Sequence, residues 1–153
     1  MPYEDTAVAV SKSQEQIRKL LTKLNVVATR FTSLPSEGII EFVRKSDDAT
    51  TIPYRITIRP KINPEYASVS QWDRAERQVW RVAYWWLKAK LEAIDFGLRE
   101  FEHEFLPDMM VVNSRGQQST VASRVFERVA NRLGPSGDDP FGGMKVLPPG
   151  QTE

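Results

Sequence analysis

Residues 26–59 read VVATRFT, SLPSE, GIIEFVRK, SDDAT and TIPYRITIR in succession. Three runs rich in Val, Ile, Thr and aromatic residues are divided by two short clusters of Ser, Pro and Asp. β-branched and aromatic side chains suit a pleated, half-buried surface, and the dividing residues favour turns. The sequence therefore predicts strands over Val26–Thr32, Gly38–Lys45 and Thr51–Arg59. The links are too short for crossover helices, so the three strands read as an antiparallel meander. In the third run Ile52, Tyr54, Ile56 and Ile58 alternate with Pro53, Arg55, Thr57 and Arg59. Period two buries the first set and turns the second outward. Pro53 has no N–H to give, which places it at an edge or a bulge.

On the N-terminal side, Thr6–Val10 is a short β-prone run. Ile17, Leu20, Leu21 and Leu24 then recur at i, i+3, i+4 and i+7, the apolar face of a helix over roughly residues 13–24. Ser13 and Gln16 have the spacing of a capping box. On the C-terminal side, Pro60–Ser68 reads as a loop and Ser70 as a cap. Residues 71–106 lack proline, and the spacing predicts one long helix ended by Pro107. Within it Trp80, Tyr84, Leu87, Leu91, Ile94, Leu98, Phe101 and Phe105 alternate by four and three residues, a heptad-like seam. Val79, Ala83, Trp86, Ala93 and Gly97 widen it. Such a helix spans ~54 Å, against a globule ~40 Å across for this chain length. It must overhang, bend near Gly97, or pack on a second copy; the expected oligomer interface is this seam.

Beyond it, Met109–Val112 reads as a short strand and Asn113–Gly116 as a turn. A last helix, capped by Ser119 or Thr120, runs to about Leu133 with Ala122, Val125, Phe126, Val129 and Leu133 on one face. The fold class is α+β in the order β-α-β-β-β-α-α. It has a three- to four-stranded antiparallel sheet, a short N-terminal helix, one very long amphipathic helix and a short C-terminal helix. Residues 1–133 form a single domain, and residues 134–153 a flexible tail rich in Gly and Pro.

The 153 residues hold 21 Lys and Arg, 20 Asp and Glu, one His and no Cys. This excludes disulfide scaffolds, Cys zinc sites, iron–sulfur clusters and thiol nucleophiles. A net charge of +1 argues against coating nucleic acid by bulk charge. The sequence shows no apolar run near the ~20 residues of a membrane span, and no signal peptide at Met1–Val10. The expectation is a cytoplasmic protein without membrane partners. P-loop, dinucleotide-binding, nucleophile-elbow and zincin motifs are missing, so the expectation is a non-catalytic protein without metal or cofactor. Glu102-His103-Glu104 reads as an ordinary surface histidine, because adjacent side chains on a helix point apart. Asp47-Asp48 reads as turn residues.

The long helix is basic first (Arg74, Arg77, Arg81, Lys88, Lys90) and acidic later (Glu92, Asp95, Glu100, Glu102, Glu104). The acidic half could be solvated, pair with Arg124, Arg128 and Arg132 of the last helix, or meet the basic half of an antiparallel second copy. Arg74, Arg77, Arg81 and Lys88 share one side with Trp85, and Arg55, Arg59 and Lys61 precede them. Forked donors beside an indole suit a nucleotide or a nucleic-acid backbone, with Trp85 or Trp72 for stacking. These arginines converge only if Pro60–Ser68 folds the helix start back over the third strand. The helix–three strands–helix order is also that of double-stranded-RNA-binding domains, an analogy of topology.

Ser11–Leu21 (SKSQEQIRKLL), Arg77–Gly97 (RQVWRVAYWWLKAKLEAIDFG) and Glu100–Met109 (EFEHEFLPDM) resemble a family of small bacteriophage proteins of actinophage and metagenomic origin. The resemblance implies a phage protein acting in the host bacterial cytoplasm and brings no catalytic or binding residue with it. Together these readings lead to an oligomeric binder of a phosphate-bearing ligand, one that sequesters a nucleotide signal of host immunity. The alternatives are a nucleic-acid-binding or annealing protein of phage recombination and an inhibitor of a host protein.

Overall fold

The computed structural model describes residues 1–130, with side chains through residue 126. Helix α1 (Val10–Thr22) leads into strands β1 (Val26–Ser33), β2 (Gly38–Lys45) and β3 (Thr51–Ile58), an antiparallel sheet in the order β1-β2-β3. Helix α2 (Val69–Phe96) follows, then the single turn α3 (Phe101–Glu104) and a 3₁₀ turn (Leu106–Asp108). A two-stranded ribbon of β4 (Met110–Val112) and β5 (Gln118–Thr120) precedes α4 (Val121–Ala130). The fold is α+β.

Strand register explains which side chains meet. The cross-strand rows Phe31–Ile40–Ile56 and Thr29–Phe42–Tyr54 turn toward the helices, and the intervening row Arg30–Glu41–Arg55 turns away. Ile17 and Leu21 of α1 and Trp80, Leu87 and Leu91 of α2 complete one core with Ile40, Phe42, Tyr54 and Ile56. Each such side chain contributes about 1.5–3 kcal/mol when fully buried. Gly38 of the central strand lies flat against the buried Trp80 indole; a Cβ there would stand 2.8 Å from Trp80 Cζ2. Phe31 meets that indole edge-on at 5.7 Å. Pro53 is on the edge strand β3, as its missing donor requires, and the bulge falls instead in β1, between Val26 and Ala28. The outer edge of β3 touches the β4–β5 ribbon through a bridge from Tyr54 to Met109.

Several expectations are corrected. Thr6–Ala9 pairs with no strand among the described residues, so the order begins with α1. Ser13 does not cap α1; it lies inside the helix, buried four residues before Ile17 on the same face. The cap of α2 is Ser68 rather than Ser70: its hydroxyl accepts from Gln71 N at 3.2 Å and Gln71 Oε1 accepts from Ser68 N at 2.9 Å.

The largest correction concerns helix length. α2 stops at Phe96 because Gly97 adopts φ +90°, and Gly97 N and Leu98 N then donate to the carbonyls of Ile94 and Ala93. That reversal satisfies two terminal carbonyls and needs the glycine. The helix has 28 residues, about 42 Å at the usual rise. The chain then turns back, and Phe101 and Phe105 pack on each other at 4.7 Å and edge-on against Phe42 at 6.2 and 5.7 Å. The eight-residue seam is therefore divided. Trp80, Leu87, Leu91, Phe101 and Phe105 are buried within one chain, Tyr84 and Ile94 border the same core, and Leu98 is exposed. The sheet and α1 cover this seam, which leaves little of it to offer a second copy.

The last helix begins after Thr120, whose Oγ1 accepts from Ser123 N at 3.2 Å. Its Val125 and Phe126 are exposed rather than packed on the domain. Leu133 and the 134–153 tail lie outside the described residues.

Candidate functional site

The N-terminal residues determine what the basic start of α2 does. Arg74 Nε donates to Glu4 O at 2.9 Å, and its guanidinium pairs with Asp5. Arg77 Nε donates to Thr6 O at 3.3 Å, and Gln78 Nε2 donates to Pro2 O at 2.8 Å. Residues 1–6 thus lie along α2, held by side chains expected to bind a ligand. Arg81 reaches α1 instead, donating to Gln16 Oε1 at 2.5 Å.

The expected convergence with β3 does not form. Arg55 lies in the outward row of the sheet, on the face opposite α2, and pairs with Glu41 at 3.1 Å. Strand alternation decides this, because Tyr54 and Ile56 on either side are in the core. Arg59, just past the strand end, pairs with Glu37 at 3.1 Å and stands with Lys61 on the rim of a groove over Ala75 and Val79.

What remains together is Arg81, Trp85 and Lys88. Trp85 is 40% exposed. The Arg81 guanidinium is 5.3 Å from its ring centroid and 4.5 Å from that of Tyr84, and Lys88 Nζ is 5.6 Å from the Trp85 ring. A cation over an aromatic face is held there by the ring quadrupole. Tyr3 lies parallel to Trp85, within 8°, at 6.4 Å between centroids.

Helix α1 extends this face beyond the residues expected from the sequence. Lys12, Gln16, Lys19 and Lys23 follow at i, i+4, i+7 and i+11, one stripe of a helix. Gln16 fixes the stripe beside Arg81, and Lys23 shares a hollow of about 300 Å³ with Leu20, Lys88 and the carboxylates Glu92 and Asp95. Among the described residues, Lys12, Lys19, Lys23 and Arg81 make no ion pair, and Lys88 pairs with Glu92. That hydrogen bond raises the Lys88 pKa. The sequence signal was available in the lysine spacing of α1, but nothing in it tied α1 to Trp85.

The outward sheet face is a second concavity of about 370 Å³ beside Met110, Val112 and Gln118. Its polar centre is Glu41, gripped by Arg30 at 2.9 Å and Arg55 at 3.1 Å. Burial alone would raise the Glu41 carboxyl, but hydrogen bonds from Arg55 and Arg30 outweigh it and hold the pKa below the ordinary carboxylate value. Both guanidiniums are thus already directed at one carboxylate.

The acidic residues after α2 are also answered within the chain. Lys90 Nζ lies 3.0 Å from Glu104, Arg99 Nε 3.5 Å from the same carboxylate, and Arg44 pairs with Glu102. His103 faces Glu100 at 3.1 Å on the surface. Arg124 donates to Ser119 Oγ at 2.7 Å. Among the described residues no three His, Cys, Asp or Glu side chains gather as a metal site, and no helix is long and apolar enough to cross a membrane. No protein-family model matches the chain, and no curated protein and no solved structure does either.

Proposed function

We propose that this protein is a non-catalytic binder of a phosphate-bearing ligand, and that the ligand lies on the α1–α2 face around Trp85. The observation that carries the reading is a half-exposed indole flanked by the Arg81 and Lys88 cations, of which Arg81 has no ion pair among the described residues. Phosphate needs charge-assisted donors, which Arg81, Lys19 and Lys23 supply, and a base needs a flat apolar surface, which Trp85 supplies. The reading keeps Arg81, Trp85 and Lys88 of the expected set and replaces Arg55, Arg59, Arg74 and Arg77 with the α1 lysines. On the bacteriophage resemblance, the role of such a binder is to sequester a nucleotide signal of the host.

A nucleic-acid strand is the second reading, favoured by one feature. The Lys12–Lys23 stripe spans eleven residue steps, from α1 to its C-cap, ~16 Å, longer than a mononucleotide requires and suited to successive phosphates.

The test is calorimetry with nucleoside triphosphates, cyclic dinucleotides and a short single-stranded oligonucleotide, with Arg81→Ala, Trp85→Ala and Arg55→Ala compared. Loss of one charge-assisted contact worth ~1.5–3 kcal/mol weakens binding at least tenfold. Trp85→Ala removes a further stacking contribution of ~1–3 kcal/mol. Arg55→Ala leaves affinity unchanged. An affinity that falls steeply with salt for the oligonucleotide alone selects the strand reading. Binding indifferent to both Arg81→Ala and Trp85→Ala overturns the site.

A further inference from the structure

Residues 1–6 lie across the side of α2 that holds Trp85. Arg74, Arg77, Arg81, Trp85 and Lys88 follow one another at steps of three and four, one stripe of the helix. The segment meets the first part of this stripe with acceptors. The Asp5 carboxylate pairs with the Arg74 guanidinium, Glu4 O accepts from Arg74 Nε at 2.9 Å, and Thr6 O accepts from Arg77 Nε at 3.3 Å. It meets Trp85 with a flat ring. Tyr3 is within 8° of parallel to the indole, and 6.4 Å between centroids is within the range of an offset stack.

These contacts are of a kind that is readily exchanged. Met1–Asp5 are exposed, and among the described residues the core draws no side chain from residues 1–6. The Arg74 and Asp5 side chains are 56% and 87% exposed, so water and salt screen their attraction. Tyr3 adopts φ +61°, a left-handed conformation unfavourable for a residue with a side chain. Backbone strain therefore works against the closed position of the segment.

We infer that residues 1–6 are a strap that competes with the ligand for the Trp85 site, with Tyr3 in the place of a base and Asp5 in the place of a phosphate. The inference rests on the ligand reading above and adds its regulation. A carboxylate and two carbonyls engage the guanidiniums as phosphate oxygens would, and a phenol engages the indole as a base would. Release of the strap removes Tyr3 from Trp85 and frees Arg74 and Arg77. The open site thus gains stacking surface and two guanidiniums on the stripe of Arg81 and Lys88. A ligand opens the strap only by as much as it prefers the open form. A molecule that carries both a flat ring and phosphates meets both gains at once.

The experiment compares the full chain with its Tyr3→Ala variant, which leaves the net charge and the core untouched and so keeps the circular dichroism of the parent. In a Trp72→Phe, Trp86→Phe background the remaining indoles are Trp85 and the fully buried Trp80, and acrylamide quenching reports Trp85. Tyr3→Ala increases that quenching with no ligand present. Calorimetry with ATP, a cyclic dinucleotide and a short single-stranded oligonucleotide gives binding about two- to tenfold tighter for Tyr3→Ala, because the fraction of open molecules scales the affinity. Arg74→Ala both loosens the strap and removes a donor, so it weakens binding more in the Tyr3→Ala protein than in the parent. Unchanged quenching overturns the inference, since the strap then does not cover Trp85. Equal affinities overturn it and leave the ligand reading in place, and weaker binding by Tyr3→Ala makes Tyr3 a wall of the site rather than a competitor. A Tyr3→Ala protein that binds none of these probes overturns the ligand reading and the strap together.

Discussion

Replacing Gly38 by alanine drives a methyl group into the indole of Trp80. The new Cβ would stand 2.8 Å from Trp80 Cζ2, 3.2 Å from Cε2 and 3.1 Å from Ile58 Cγ1. None of these neighbours is a flexible chain end in open space. Trp80 is fully buried and met edge-on by Phe31, and Gly38 itself is fixed by pairing with Ser33 and Ile58. Either the indole leaves its rotamer or the central strand shifts, and overpacking of this kind costs about 1–3 kcal/mol. A strand glycine replaced without a clash would instead gain about 0.4–1 kcal/mol through the unfolded state. The sign of the change therefore tests the contact. Urea unfolding followed by tryptophan fluorescence measures it, with the slope of the transition unchanged. Trp80→Phe relieves the indole part of the clash and leaves Ile58 Cγ1, so the double variant loses less than the sum of the singles, with a coupling of ~0.5–3 kcal/mol. A Gly38→Ala protein as stable as the parent, or strict additivity with Trp80→Phe, refutes the packing argument.

Glu41→Gln tests the paired arginines of the outward sheet face. The folded pKa lies below the unfolded one, so the stabilisation is present at neutral pH and lost as pH falls through the folded value. The parent exceeds the variant by about 1 kcal/mol at pH 7, the scale of partly exposed pairs, and urea midpoints of the two converge on acidification; a pH-independent difference contradicts this. Gly97→Ala destabilises by about 1–2 kcal/mol through backbone conformation alone, since φ is +90° and no atom lies within 4 Å of the added methyl. An unchanged melting temperature would mean that α2 continues past Phe96.

Local structure was legible because its causes are local. Alternation in Thr51–Arg59, the turn residues at Ser46–Ala49 and the apolar face of Ile17 and Leu21 act within a few residues. The strands duly fall at Val26–Ser33, Gly38–Lys45 and Thr51–Ile58. The seam from Trp80 to Ile94 likewise showed that one side of α2 must be covered. It did not show by what, since a 3.5-residue repeat buries equally well on a sheet or on a copy of itself.

Tertiary structure decided every question of partnership. Gly97 offered a stop, yet Phe101 and Phe105 continued the apolar spacing; reversal wins because it brings both rings to Phe42 and Tyr54. Arg74 and Arg77 are indistinguishable from ligand-binding arginines until the backbone of residues 1–6 lies beside them. Arg55 was correctly placed on the outward face of β3, but that α2 covers the other face depends on how the sheet and helices stack. The helix that carries the α1 lysines is tied to α2 through the bond from Arg81 to Gln16, 65 residues apart in the chain. A guanidinium or an apolar stripe carries its chemistry in the sequence; which group satisfies it depends on distances that exist only after the chain has folded.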